Sequence, residues 1–346
     1  MPHQVDKSAT VQTIATGADP GCSVFALLFD RQGNGREVGW QEIHKWQPEA
    51  GLLWLVGHPS GQETQRWLRS SASQLEASVV QTLLRSENRP RCLSFREGTL
   101  ITLRAVNQTL GHNSDEKLAT VSIWIDLNRV IVLRSASVRI FNELRTEIRK
   151  AQTPTNSGDL LVDILHHLVS RMEPLLTHID DSVDNLEDLI LLDPNTDMQQ
   201  ELAAVRHQII ELRRHLLPQQ EALNLLQIER TPWMNDHHRR RCHEISSRFR
   251  HYLTDLDSCR ERGSVLQDEI NNNQAQKMNQ TMKIVAVFTA FLMPVNAVTS
   301  LLGTNIEGIP GQAGTATPWG FTFEVTGLIL IMVISYFIFK KLKWFD

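Results

Sequence analysis

Apolar and polar positions divide this chain into three stretches with different periods. Between about residues 20 and 135, short runs rich in Val, Ile, Leu and Trp occupy residues 23–30, 51–58, 93–106 and 118–133. The last two hold turn-like breaks, Arg96-Glu97-Gly98 and Asp126-Leu127-Asn128-Arg129, so each reads as a β-hairpin. Helical patterns lie near residues 64–71 and 74–85, and Pro90 closes that stretch. An α/β domain is therefore expected over residues 1–136.

After about residue 137 the strand signal stops and three long helical stretches follow. Ser157 or Asp159 is the expected cap of the first, which runs to about Leu192. Asp193-Pro194-Asn195 ends it, because proline disfavours a helical residue before it. Asp197 opens the second, which reaches about Arg230, and Thr231-Pro232-Trp233 ends that. The last starts near Asp236 and meets no proline before Pro294. A single helix of roughly 60 residues or more is expected, a stalk running into the third stretch. Residues 137–282 are thus read as a helical domain and stalk.

The third stretch is a pair of apolar runs at about residues 284–302 and 321–339, linked through Gly303-Thr304-Asn305. At 1.5 Å per residue, about 19 residues span ~29 Å, close to a bilayer's hydrocarbon core. The first run carries no charge and the second carries only Glu324. The expected layout is a first transmembrane helix over 283–303, an outer loop over 304–320, a second transmembrane helix over 321–340 and a tail over 341–346.

Charge orients this hairpin. Lys277 and Lys283 precede the first run, and Lys340, Lys341 and Lys343 follow the second. The loop between has no Lys or Arg. Basic residues stay cytoplasmic, so both termini are placed inside the inner (plasma) membrane and the loop outside. Trp319, Trp344 and Phe345 suit interfacial anchoring. The chain's formal charge of -4 gives no footprint for nucleic acid. No apolar core follows a basic start at the N-terminus, so no cleavable signal peptide is expected. Cys22, Cys92, Cys242 and Cys259 lack CxxC spacing and read as reduced thiols.

The helices differ in sign. Residues 158–193 hold nine acids and one Arg171, whereas residues 236–262 hold seven arginines and five acids. Either the two pack as complementary surfaces, or the acids form a surface that attracts cations or regulates opening.

Two membrane helices cannot enclose a water-filled path. A transporter built this way must be a ring of subunits, each giving one helix to the axis. Thr289, Asn296 and Ser300, spaced seven and four, share one side of the first helix. Met282, Val285 and Met293 extend that stripe. It suits a pore wall, where neutral oxygens meet a cation's water shell and apolar rings gate by dewetting. It equally suits hydrogen bonding between helices. Pro294 frees the carbonyl of Ala290 and is either a kink in the pore helix or a tolerated membrane proline. Glu307 is the loop's only charge, either a ring of acids concentrating cations at the outer mouth or a solvated side chain.

These motifs carry a resemblance. Gly303-Thr304-Asn305 ends the first span, preceded by Met282-Lys283 and Leu292-Met293-Pro294. The chain resembles the CorA-type divalent metal-ion transporter family over its whole architecture, most specifically over residues 279–311. Relatives that carry magnesium usually have Gly-Met-Asn and a Met-Pro-Glu-type loop. Here Thr304 takes the middle position, and Ile306-Glu307-Gly308-Ile309-Pro310-Gly311 follows, similar to the zinc transporter ZntB branch. The resemblance implies a homopentamer in the lipid bilayer, a central pore with Asn305 at its outer mouth and Zn2+ as the transported ion. Co2+, Ni2+, Cd2+ and Mg2+ are its alternatives, and no resident cofactor is expected. It also implies coupling to the proton gradient, for which Glu324, Glu307 or cytosolic histidines are the candidate carriers.

Other chemistry is sparse. His238 and Cys242 are four apart on one helix face, a spacing that can hold zinc, and Asp163 with His167 is a second such pair. Both pairs lack a full ligand set and read first as solvated surface residues. No phosphate-binding glycine loop, HExxH or nucleophile elbow is present, which argues against an enzyme. A membrane-anchored scaffold is the remaining reading from another class.

Overall fold

The computed structural model describes residues 24–30, 34–70, 73–85, 89–107, 118–136, 138–150, 154–192, 198–303 and 319–341. These form two compact units. The larger holds residues 1–188 and 199–264, and the smaller holds 189–198 and 265–346.

The larger unit begins with β1 (Phe25–Phe29), β2 (Gly35–Glu37), the short helix α1 (Trp40–Ile43) and β3 (Leu52–Gly57). Two helices follow, α2 (Gln62–Arg69) and α3 (Ala77–Leu84). Then come β4 (Arg91–Ser94), β5 (Thr99–Val106), β6 (Leu118–Ile125) and β7 (Arg129–Arg134). The seven strands form one sheet in the order β2-β1-β3-β7-β6-β5-β4. Only β3 and β7 run parallel, at its centre. Every residue of both is buried, as expected of strands covered on two faces.

One face packs against α2 and α3 through Trp67, Leu68, Val79, Val80 and Leu83. These meet Leu53, Leu55, Leu100, Trp124, Ile131 and Leu133 of the strands. Both expected hairpins form, β4–β5 and β6–β7. Each turn has its own device. A Cβ on Gly98 would lie 2.3 Å from the Ile125 carbonyl oxygen and 2.7 Å from the Trp124 ring, so only glycine fits. In the second turn Asp126 Oδ1 accepts the backbone N–H groups of Asn128 and Arg129 at 3.0 and 3.1 Å. Its other oxygen takes the Trp124 indole N–H at 3.0 Å and pairs with the Arg129 guanidinium. The three-residue β2 and the four-residue α1 lie outside the sequence expectation because neither is long enough to show a period.

The helical part comprises α4 (Ile140–Lys150), α5 (Ser157–Ser170), α6 (Glu173–Leu192), α7 (Gln199–Ile228), α8 (Asp236–Gly303) and α9 (Trp319–Lys341). Helices α5 and α7 contact the strands β5, β7 and β4. Two expectations need correction. First, α4 adds an amphipathic helix before the expected three. Second, the first expected helix is two, α5 and α6, broken at Arg171-Met172. Pro174 fits this break: it has no N–H to give and its ring crowds the carbonyl of Ser170, and it stands at the second position of the new helix, where neither is a cost. The cap of α5 is Asn156, whose side chain accepts the N–H of Asp159 at 2.9 Å. The long helix forms as expected, 68 residues without interruption through Pro294.

Candidate functional site

The candidate site is α8, and it changes character along its length. Its first part lies in the larger unit beside α5 and α6. The side-chain contacts there keep one register. His238 meets Asp159, Arg241 meets Asp163, Arg248 meets Ser170 and Tyr252 meets Glu173. Cys259 meets Asp180 and Arg262 meets Asp184. Each pair is 78 or 79 residues apart. A constant positive offset means that α8 runs parallel to α5 and then α6, and the register survives the break before Pro174. Complementary packing of the acidic helices on the basic one is therefore the arrangement found. Apolar side chains fill the seam between the pairs: Ile245, Phe249, Leu253 and Leu256 of α8 are all buried.

The seam starts with two interlocked helix caps. Asn235 Oδ1 accepts the N–H of His238 at 2.9 Å, and His238 Nδ1 accepts the N–H of Asn235 at 3.2 Å. That reciprocal pair satisfies orphan donors at the start of α8, with histidine in the place glutamate takes in a capping box. His238 must then carry its proton on Nε2, which donates to Asp159 Oδ1 at 2.8 Å. Asp159 belongs to the cap of α5. Burial pushes its carboxyl up, but bonds from Thr155 and His238 outweigh that and hold it below the usual carboxylate range. The histidine ring leaves no room beside it: a Cβ on Gly158 would fall 2.4 Å from its Cε1 and Nδ1.

This geometry corrects the solvated reading of the first candidate pair. His238 is 1% exposed and Cys242 is 2% exposed. Both ring nitrogens of His238 already have partners. Burial pushes the Cys242 thiol up to about 11, away from the thiolate a metal needs. The second pair is half-buried and bonded rather than freely solvated. His167 Nδ1 meets the backbone oxygen of Asp163 at 2.9 Å, its Nε2 lies 3.3 Å from Glu147, and the Asp163 carboxylate takes Arg241 at 3.0 Å. Among the described residues, no group of three or more His, Cys, Asp or Glu is placed to hold a metal ion. Cys92, Cys242 and Cys259 are free thiols.

Beyond Val265, α8 belongs to the smaller unit, and from Ile284 to Gly303 it carries no charge. Among the described residues this is the one helix long and apolar enough to cross a membrane. Its sides are unequal. Ala286, Val287, Ala290, Phe291, Pro294, Val295 and Val298 are half-buried. The stripe Met282, Val285, Thr289, Met293, Asn296 and Ser300 is exposed throughout, Met282 at 66% and Met293 at 70%. At 100° per residue the two sets point roughly 145° apart. The Thr289 hydroxyl donates to the Val285 carbonyl of its own helix at 2.8 Å. Among the described residues no stripe side chain bonds to another helix. Gly303 is the last residue of α8; Thr304, Asn305 and Glu307 lie outside the described residues.

An α/β unit, joined by one continuous helix to a charge-free segment of membrane length, suits a membrane transport protein and a membrane-anchored scaffold alike. Residues 49–341 match the family described as CorA-like Mg2+ transporter protein, and the chain belongs to that family of divalent-cation transporters. It is similar to the zinc transport protein ZntB of Pectobacterium atrosepticum, 32% identical over 324 residues, which is 93% of this chain and 96% of that protein. It is also similar to the divalent cation transporter CmaX of Pseudomonas aeruginosa, 29% identical over 338 residues, 96% of this chain and 100% of that one. Among solved structures, full-length CmaX superposes with a TM-score of 0.78 at 28% identity, covering 95% of this chain and all of that one. The CorA magnesium transporter of Methanocaldococcus jannaschii shares the fold, with a TM-score of 0.77 at 20% identity over 92% of this chain and 97% of that one.

Proposed function

We propose that the chain is a zinc transporter of the inner membrane. It would work as a homopentamer in which five copies of α8 surround a water-filled path. The observation that carries this reading is the exposed, uncharged stripe from Met282 to Ser300, on the side of α8 that its own subunit leaves uncovered. Five such faces give neutral oxygens from Thr289, Asn296 and Ser300 to a hydrated cation's water shell. They give apolar rings from Met282, Val285 and Met293 that close by dewetting. Helix α9 is the second span, and both termini lie in the cytoplasm. Gly303, Thr304 and Asn305 form the outer mouth, with Glu307 raising the local cation concentration. Similarity to ZntB and the Gly-Ile-Pro-Gly loop ending support zinc as the ion.

A magnesium or cobalt channel is the second reading, favoured by the comparable similarity to a relative named only for divalent cations. Uptake of radioactive zinc and magnesium into proteoliposomes separates the two. Zinc uptake is expected, and magnesium uptake with indifference to zinc would reject the zinc assignment. Asn305→Ala should lower zinc flux about tenfold or more, a loss of ~1.4 kcal/mol at the barrier. Unaltered flux would instead support a scaffold whose hairpin only tethers it. Coupling to protons is tested by zinc flux with and without an imposed pH gradient; a flux insensitive to the gradient rejects it.

A further inference from the structure

The seam between α6 and α8 ends in an ion cluster unlike its other contacts. Three carboxylates of α6, at Asp180, Asp184 and Glu187, lie at steps of four and three on one face of that helix. A single side chain of α8 meets all of them. Arg262 donates to Asp180 Oδ1 through Nη1 at 3.2 Å and to Glu187 Oε2 through Nη2 at 2.6 Å and Nε at 3.3 Å. It bonds Asp184 through Nη2 as well. Bonds to Glu187 first and Asp184 next hold the guanidinium above arginine's ordinary pKa. Asp180 also accepts the Cys259 thiol proton at 3.4 Å. That bond adds to burial in pushing the thiol up to about 11, so Cys259 takes part as a thiol and not as a thiolate.

The place of the cluster matters. Arg262 lies two residues before Ser264, where the larger unit ends. It is the last rung of the seam before α8 leaves that unit. Beside it Gly263 packs on α7: a Cβ there would lie 3.4 Å from Arg206 Cγ and 3.9 Å from Leu202. The α6, α7 and α8 helices are therefore tied together within one turn of α8. One guanidinium faces three carboxylates, so without it three negative charges would face each other across helix turns. Like charges at that spacing destabilise a helix, and carboxylate oxygens are also the ligands a divalent cation takes.

We propose that Arg262 is the built-in cation of an ionic clasp that fixes α6 on α8 where α8 leaves the larger unit. The tie is thereby independent of free divalent cations, although the protein transports them. The clasp is a positioning device and no metal is assigned to it.

The test uses the full chain in detergent micelles and reads hydrogen–deuterium exchange of α6 amides. Wild-type protection should be the same in chelator and in millimolar Mg2+ at matched ionic strength. Arg262→Gln should raise exchange of the 180–190 amides by about tenfold or more, a population shift worth ~1.4 kcal/mol. Mg2+ should restore protection in that variant, and sodium of equal ionic strength should not. Arg262→Lys, which keeps one charge but cannot fork to three carboxylates, should fall between. If Arg262→Gln does not fold, Asp184→Asn with Glu187→Gln opens the clasp from the other side: it takes away the guanidinium's two main partners, so exchange of the 180–190 amides should again rise, here with no restoration by Mg2+ because the carboxylate ligands are gone. The proposal is overturned if wild-type α6 needs Mg2+ for protection. It is equally overturned if Arg262→Gln exchanges like wild type, or if Na+ restores that variant as well as Mg2+ does.

Discussion

Between Asp236 and Ser264, α8 is rich in arginine, and five of its polar side chains meet a carboxylate of α5 or α6. Between Ile284 and Ser300 the same helix has no charge, and among the described residues its polar side chains bond to no other helix. The backbone is continuous through both. What differs is what each side chain finds opposite it. In the first half, charge is tolerated because an opposite group waits at a fixed offset. In the second, a charge would face lipid or an ion path without compensation, so the sequence offers only hydroxyls, an amide and thioethers. One helix thus carries a stability problem at one end and, in the proposed pore, a permeation problem at the other. Substitutions should separate them.

The largest effect should come from emptying the seam. Phe249 is 0% exposed, and Phe249→Ala should cost about 3–5 kcal/mol, read as a lower unfolding midpoint. Met282→Ala, on the exposed stripe, should shift stability by no more than about 0.5 kcal/mol and instead raise ion leak through a weakened apolar ring. Equal destabilisation by the two would erase the distinction between the halves.

Next in size is Gly158→Ala. The added methyl must displace the His238 ring and with it the bond to Asp159, at a cost of about 1–3 kcal/mol. Zinc flux per folded protein should be unchanged. A flux defect at full stability would place the twin caps in the transport machinery rather than in the seam.

The smallest effect concerns His166, which with Val169, Arg241, Glu244, Ile245 and Arg248 lines a cavity of about 90 Å³ between α5 and α8. Burial first, then Arg248, His167 and Arg241, lower its pKa, while Asp163 opposes them. With the folded value depressed, the unfolded chain takes up the proton first, so stability declines as pH falls below about 6.5. His166→Gln should flatten that part of the stability curve, measured as unfolding midpoint against pH. A curve unchanged by the substitution would mean the proton is taken up elsewhere.

Much of the fold was legible along the chain. Both hairpins announce themselves by turn residues, and the structure adds the reasons, a glycine without room for a Cβ and an aspartate that caps its own turn. The long helix is legible because nothing interrupts it before Pro294, and that proline is accommodated. The break before α6 had a signal as well, Pro174 at the second position of a new helix, which the strong apolar period on either side hid. The strand β2 was missed for want of a long enough period, whereas α4 does carry a helical one in Ile140, Phe141, Leu144 and Ile148 and was overlooked. The solvated reading of His238 and Cys242 failed for a different reason. Spacing reports a shared face, but not whether that face meets water or, as here, another helix.

The sequence by itself determined most of the strands and helices, where charge is absent for the length of a bilayer, and the Gly303-Thr304-Asn305 turn on which the resemblance was drawn. These are local properties, set by side-chain period, turn chemistry and the energetic cost of charge in hydrocarbon. Only the tertiary structure decided the offset of 78 or 79 residues between α8 and its partners, the proton position on His238 and the capture of three carboxylates by Arg262. Those depend on which residues far apart in the chain come within hydrogen-bond reach, and no local pattern encodes that. The two meet in α8: the chain prescribes one helix with a charged half and an uncharged half, and packing gives the charged half its counter-ions and leaves the other exposed.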